Sequence, residues 1–141
     1  MKFQINKKIF FCPMELTMDV LGGKWKLLIL WHLQQGTKRY GELRTALQDI
    51  THKMLTQQLR ELESDGIVHR EVFHVVPPKV EYSLTDRGNR LTTVMESMAE
   101  WASAFQVDEV VTPSTKKKTS ESSQTKKTKE PAQGKPRKKA A

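Results

Sequence analysis

The chain has 141 residues, of which 24 are Lys or Arg and 16 are Asp or Glu, so its formal net charge is +8, and it contains one cysteine. This length suits a single domain of ordinary size, and the lone cysteine excludes a disulfide-stapled secreted scaffold. The longest unbroken apolar run, residues 27–31, is far shorter than the roughly 20 residues that cross a bilayer. With no export signal, we expect a cytoplasmic protein and no membrane partner.

The positive charge is concentrated at the C-terminal end of the chain. Residues 112–141 contain ten Lys and Arg against two Glu, which leaves 14 basic and 14 acidic side chains on a neutral body at residues 1–111. The C-terminal segment has too few apolar side chains to offset the entropy of ordering it. We therefore predict an N-terminal extension at residues 1–11, one domain at residues 12–111 and a disordered Lys-rich tail at residues 112–141.

Two helices are predicted at the start of the domain. Pro13 suits the first position of a helix, which continues to the glycine pair at residues 22–23. A second helix is predicted over residues 24–35, and its middle, residues 27–31, is apolar on every face, which indicates burial on more than one side. In a small domain such burial requires a second apolar surface, either from the same chain or from a partner subunit.

A short helix around residues 41–46 and a longer one over residues 51–65 follow. Thr51 is a good N-cap for the longer helix, and Gly66 ends it. Apolar side chains recur on one face of this helix and polar side chains recur on the opposite face. The apolar face is Leu55, Leu59 and Leu62, and the polar face is Lys53, Thr56, Gln57 and Arg60.

The last part of the domain predicts a strand pair and a helix. Residues 68–73 and 79–84 are rich in Val, Phe and Tyr and are joined through a double proline. Thr85 is predicted to cap one continuous final helix with an apolar stripe that repeats every seven residues, a pattern that suits subunit pairing. The candidate dimer-interface residues are Leu91, Val94, Met95, Met98, Trp101 and Phe105.

This order of elements predicts a winged helix-turn-helix, a mainly α fold of the α+β class. Its helix-turn-helix unit consists of the short helix at residues 41–46 and the helix at residues 51–65, and the second of these helices enters the major groove of DNA. The polar face of that helix contains no acidic residue and can bond phosphates and base edges, although any surface helix also needs a solvated face. Positive charge on three neighbouring elements favours contact with a duplex. The candidate DNA contacts are Lys38, Arg39, Arg44, Thr51, His52, Lys53, Thr56, Gln57, Arg60 and Lys79.

Five segments, in order and with matching spacing, make the chain resemble the HxlR-type transcriptional regulators, which are relatives of the MarR proteins. The segments are residues 12–13 (CP), 21–25 (LGGKW), 40–43 (YGEL), 53–62 (KMLTQQLREL) and 77–85 (PPKVEYSLT). The resemblance implies a homodimer that binds double-stranded DNA, with residues 51–65 as recognition helix and residues 74–79 in a two-stranded wing. It also implies that the N-terminal and C-terminal helices form the dimer interface. The Lys-rich tail lies outside the resemblance.

Cys12 precedes the first predicted helix, where unpaired amides and the helix dipole would favour its thiolate and raise its reactivity. Several members of the resembled family sense oxidants or electrophiles through a cysteine at this place. The alternative to a sensing role is that Cys12 acts as a small apolar residue packed under Phe10 or Phe11. Cys12 is therefore a candidate redox sensor, with an oxidant or small molecule as the class of effector.

The sequence contains no recognisable nucleophile with its base, phosphate-binding glycine loop or pair of catalytic carboxylates. It therefore predicts no enzyme activity and no cofactor, and the histidine spacing predicts no metal site. We expect a dimeric repressor on an inverted-repeat operator. The rival interpretations are an architectural protein that coats DNA through its basic tail and an interaction module that has lost DNA binding. Whether the protein is a repressor or an architectural protein, the tail is expected to add salt-dependent affinity for DNA that does not depend on sequence.

Overall fold

The computed structural model describes residues 1–107, and residues 1–106 form one unit. The predicted tail at residues 112–141 and the end of the predicted domain lie outside the described residues. The elements are β1 (Phe3–Ile5), β2 (Lys8–Phe10), α1 (Pro13–Leu21), α2 (Trp25–Leu33), β3 (Lys38–Arg39), α3 (Tyr40–Ala46), α4 (His52–Ser64), β4 (Val68–Phe73), β5 (Lys79–Leu84), α5 (Asp86–Asn89) and α6 (Thr92–Ser103). This mixture of helices with small antiparallel sheets confirms the predicted α+β class.

Helix α4 begins and ends where the sequence predicts. The Thr51 hydroxyl accepts a hydrogen bond from the Met54 backbone N–H at 3.1 Å, which satisfies one amide left unpaired at the helix start. At the other end Gly66 has a φ of 68°, a left-handed conformation that glycine adopts without a steric penalty. This lets the Ile67 N–H return to the Leu62 carbonyl at 2.9 Å and close the helix.

Helices α4 and α2 supply many of the most deeply buried side chains of the core. Leu55, Leu59 and Leu62, the predicted apolar face of α4, are all at most 1% exposed, and Ile29 and Leu30 of α2 are completely buried. Each such side chain contributes about 1.5–3 kcal/mol when it is removed from water. The burial of these three leucines fixes the rotation of α4 about its axis, so the opposite polar face must point outward.

Strands β3, β5 and β4 form a three-stranded sheet in the order β3-β5-β4. Strands β4 and β5 pair antiparallel from Val68 opposite Leu84 to Phe73 opposite Lys79, as the two predicted strands require. The third strand, β3, pairs Lys38 with Tyr82 and lies on the other side of β5. Two residues are too few to show an alternating pattern, so the sequence did not indicate this strand.

The prediction of one continuous final helix is wrong, because the chain forms α5 and α6 with a turn between them. Thr85 caps α5 as expected, and its hydroxyl also donates to the Gly66 carbonyl at 2.6 Å. Gly88 lies so close to the Ile67 carbonyl that a β-carbon there would overlap it. Helix α5 is thereby fixed to the start of β4, whereas α6 buries Met95 in the core, and the turn separates these two packing arrangements.

Residues 3–10 form a β-hairpin. Ile5 of this hairpin joins the core, and the Asn6 side-chain amide donates to Asp65, at the end of α4, at 2.7 Å. The Lys8 ammonium pairs with Asp19 of α1 at 2.9 Å, and that carboxylate raises the pKa of Lys8 above its ordinary value. The segment predicted as an extension is thus connected to both α1 and the end of α4.

Candidate nucleic-acid interface

The outer face of α4 presents the predicted polar row. Lys53, Gln57 and Arg60 are exposed and Thr56 is half-buried. These side chains line one shallow surface groove, together with those of His52 and Glu61. The structure therefore brings five of the candidate DNA contacts together along one exposed surface groove.

Tyr40 connects the two helices of the turn unit. Its hydroxyl lies 2.7 Å from Nδ1 of His52 and donates to the His52 carbonyl at 3.2 Å, with the Thr56 hydroxyl 3.4 Å away. The Tyr40 and His52 rings also meet edge to face, with centroids 5.2 Å apart. These contacts hold the start of α4 against α3, and the sequence analysis did not assign Tyr40 this role.

Glu61 brings a negative charge to the edge of the polar row, and a buried cation compensates it. Lys26 of α2 has a side chain only 8% exposed, and its ammonium lies 2.8 Å from Oε2 of Glu61. The Gln57 amide donates to Oε1 of the same carboxylate at 3.1 Å. The Lys26 ammonium, and after it the Gln57 amide, hold the pKa of Glu61 below its ordinary value.

The remaining candidate cations lie on α3 and on the sheet. Arg44 is exposed on α3, and Arg39 is exposed on β3, whereas Lys38 is half-buried. Lys79 at the start of β5 lies over the Phe73 ring, 4.4 Å from its centroid. These candidate cations therefore lie on β3, α3 and β5, the three elements to which the sequence analysis refers.

Glu81 connects two of these cations. Its Oε1 lies 3.1 Å from the Lys79 ammonium and 4.0 Å from Nε of Arg39. The arrangement brings the wing and β3 together, and it places a carboxylate among cations expected to face phosphate. The i, i+2 spacing of Lys79 and Glu81 on one strand could have indicated half of this contact, but Arg39 comes from a strand that was not predicted.

Cys12 is the N-cap residue of α1, and its side chain makes no capping hydrogen bond. It is exposed, and the neighbouring Phe11 is 70% exposed. The thiol is therefore accessible to a reagent in the single chain.

The candidate interface residues divide into two groups. Met95 is 4% exposed and Leu91 is half-buried, so both pack mainly within their own chain. Val94, Met98, Trp101 and Phe105 are 45–71% exposed, and the Trp101 and Phe105 rings lie 5.0 Å apart. Met98 also lines an open apolar groove of about 270 Å³ between α2 and α6.

Within the described residues there is no cluster of three or more His, Cys, Asp or Glu side chains suited to a metal ion. In the same part of the chain, no helix is long and apolar enough to span a membrane.

A family model described as HxlR-like helix-turn-helix matches residues 20–110. YybR of Bacillus subtilis (strain 168), named as an HTH-type transcriptional regulator, is 58% identical over 90 residues, which cover 64% of this chain and 72% of YybR. The solved structure of the redox regulator HypR in its oxidized form has a TM-score of 0.65 and 54% identity, and the match covers 70% of this chain and 100% of that one. The reduced form of the transcriptional regulator YodB from B. subtilis has a TM-score of 0.60 and 40% identity, with 68% and 95% of the two chains covered. These similarities confirm the winged helix-turn-helix architecture.

Proposed function

The chain belongs to the HxlR-like helix-turn-helix family of DNA-binding transcriptional regulators, and we propose that it is a repressor that binds an inverted-repeat operator as a homodimer. As a member of this family it is a regulator and not an enzyme. The observation that carries the proposal is the outward polar face of α4, whose orientation is fixed by three buried leucines on the opposite side. Occupation of a promoter by such a dimer blocks transcription.

The charges around α4 suit two kinds of DNA contact. In the proposed complex α4 lies in the major groove, where Gln57 and Arg60 reach base edges and Thr56 bonds a base or a phosphate. The flanking cations position the protein by contacting phosphates, which carries no sequence information. These phosphate contacts are Lys38, Arg39, Arg44, Lys53 and Lys79, with Thr51 and His52 at the start of α4.

The exposed apolar side chains of α1 and α6 support the homodimer. Met14 and Met18 of α1 are 62% and 63% exposed, and Trp101 of α6 is 71% exposed. Large exposed apolar side chains on these two helices are typical of an interaction surface. Pairing of two copies through these helices would place two α4 helices about one turn of DNA apart, roughly 34–36 Å.

An oxidant effector acting through Cys12 is part of the proposal. The exposed thiol at the start of α1 and the similarity to a protein described as a redox regulator support it. Because the chain has one cysteine, a disulfide must join Cys12 to a second chain or to a small thiol. Either product alters α1, on which the proposed dimer depends, and hence the spacing of the two α4 helices.

Alanine substitutions at Arg60 and Lys79 test the proposed DNA contacts. We expect Arg60→Ala to weaken binding to the preferred duplex by about 1–3 kcal/mol and to relax sequence preference. Lys79→Ala is expected to weaken binding to all sequences and to lower the salt slope by about one. Mobility-shift titrations at several salt concentrations measure both effects.

Arg90→Ala is the control, because it removes an exposed cation from the turn between α5 and α6, outside the proposed interface. Unchanged binding by both the Arg60 and the Lys79 variant at physiological salt would contradict the assignment of α4 and the wing to DNA.

A further inference from the structure

Lys26 of α2 is a buried cation that contacts α4, the proposed recognition helix. The Lys26 side chain is 8% exposed, in a helix whose other buried residues are apolar. A buried ammonium is costly unless it is paired, and the Lys26 ammonium is paired with Glu61 of α4 at 2.8 Å. The ion pair therefore joins the core helix to the edge of the polar row.

The two oxygens of Glu61 have different partners. Oε2 receives the Lys26 ammonium, and Oε1 accepts the Gln57 amide at 3.1 Å. A carboxylate accepts hydrogen bonds and does not donate them. The Gln57 amide must therefore direct its nitrogen, Nε2, and not its own oxygen towards Glu61. One Nε2 hydrogen is thereby used, and the exposed end of Gln57 retains one acceptor, Oε1, and one donor.

That remaining pair of groups matches adenine. In the major groove adenine presents the N6 amino donor and the N7 acceptor, whereas guanine presents two acceptors, N7 and O6. The Gln57 amide held by Glu61 complements adenine, but it would set its oxygen against O6 of guanine. We propose that Lys26 and Glu61 are positioning residues that fix the Gln57 amide and so make this position of the operator selective for adenine over guanine; the proposal rests on the proposed function.

Base preference at single positions, measured by selection from randomised duplexes with the full chain, tests the proposal. Gln57→Ala identifies the operator position that residue 57 reads. Glu61→Gln keeps the shape of the side chain but introduces an amide that can donate as well as accept, so the Gln57 amide is free to reverse. We expect preference for adenine over guanine to fall about tenfold at that one position, with the other positions unchanged.

Two further variants separate positioning from folding and from charge. Lys26→Met keeps the apolar stem in the core and removes the ammonium that holds Glu61, so it should reduce the same preference. Glu63→Gln removes one negative charge from an exposed site on the same helix and should leave the whole profile as it is in the unmodified chain. Thermal unfolding of each variant establishes that it is folded at the temperature of the selection.

The outcomes distinguish a failure of the positioning role from a failure of the proposed function. If Gln57→Ala abolishes an adenine preference that Glu61→Gln and Lys26→Met leave intact, the positioning role is overturned and sequence-specific binding stands. The same conclusion follows if Gln57→Ala changes no position, or if Glu61→Gln weakens preference evenly along the site. A lack of sequence preference in the unmodified chain would overturn the proposed function itself.

Discussion

Single residues of the proposed DNA interface are organised as charged pairs. Glu81 lies between Arg39 and Lys79, and Glu61 faces Lys26. The Arg39, Lys79 and Glu81 side chains are 24–59% exposed, and exposed ion pairs contribute about 0–1 kcal/mol to stability. We therefore propose that the pairs with Glu81 serve mainly to orient side chains, whereas the buried Lys26 requires Glu61 as its partner. The net charge of residues 1–111 is zero, so the total charge gives no indication of this arrangement.

Cys12 carries the prediction that belongs to this scale. In the unmodified chain, diamide is expected to reduce affinity for the preferred duplex, because oxidation of the exposed thiol joins it to a second chain or a small thiol. We expect Cys12→Ser to bind equally well before and after treatment. Mobility-shift titration measures affinity, and a non-reducing gel with mass spectrometry identifies the product.

The serine variant is a matched control because it removes the only thiol of the chain. The Cys12 hypothesis fails if diamide weakens binding of Cys12→Ser as much as binding of the unmodified chain.

Among the elements, α5 shows how a close backbone approach decides local structure. A β-carbon at Gly88 would overlap the Ile67 carbonyl, which belongs to the backbone and cannot rotate away. Alanine favours a helix by about 1 kcal/mol over glycine, but overpacking of this kind costs about 1–3 kcal/mol. We expect Gly88→Ala to lower the free energy of unfolding, measured by urea denaturation.

Gly41→Ala is the comparison, since a β-carbon at Gly41 in α3 meets nothing within 4 Å. Its free energy of unfolding should stay the same or rise slightly. Equal destabilisation by the two substitutions would show that the contact between α5 and Ile67 is not the cause.

The sequence predicts elements whose signals are local. Thr51 and Gly66 mark the ends of α4, and the spacing of its leucines gives its buried face, so the outward row of the candidate site was predictable. The N-terminal hairpin pairs locally, but its strands of three residues are too short to show an alternating pattern. Strand β3 and the break before α6 depend on contacts with distant segments. For the same reason the Lys26–Glu61 pair was missed, because a lysine in an apolar helix gives no indication of its partner 35 positions later.

At the scale of the whole molecule, we propose that net charge and binding specificity belong to different parts of the chain. The formal charge of +8 lies in residues 112–141, and sequence-blind attraction to phosphates grows with such charge. Discrimination between sequences requires a few groups at fixed positions, which in the proposed complex lie on α4 and the wing. A dimer doubles the number of base contacts and makes the distance between them selective.

Comparison of affinity for a selected duplex with affinity for unrelated DNA of the same length tests this account most directly. Duplexes selected from random sequence should contain an inverted repeat with half-site centres about 10–10.5 base pairs apart and should bind two copies of the chain. At physiological salt, the affinity ratio is expected to be about 10³ or more. A ratio near one, with no repeat in the selected duplexes, would contradict the account and favour a protein that coats DNA through its basic tail.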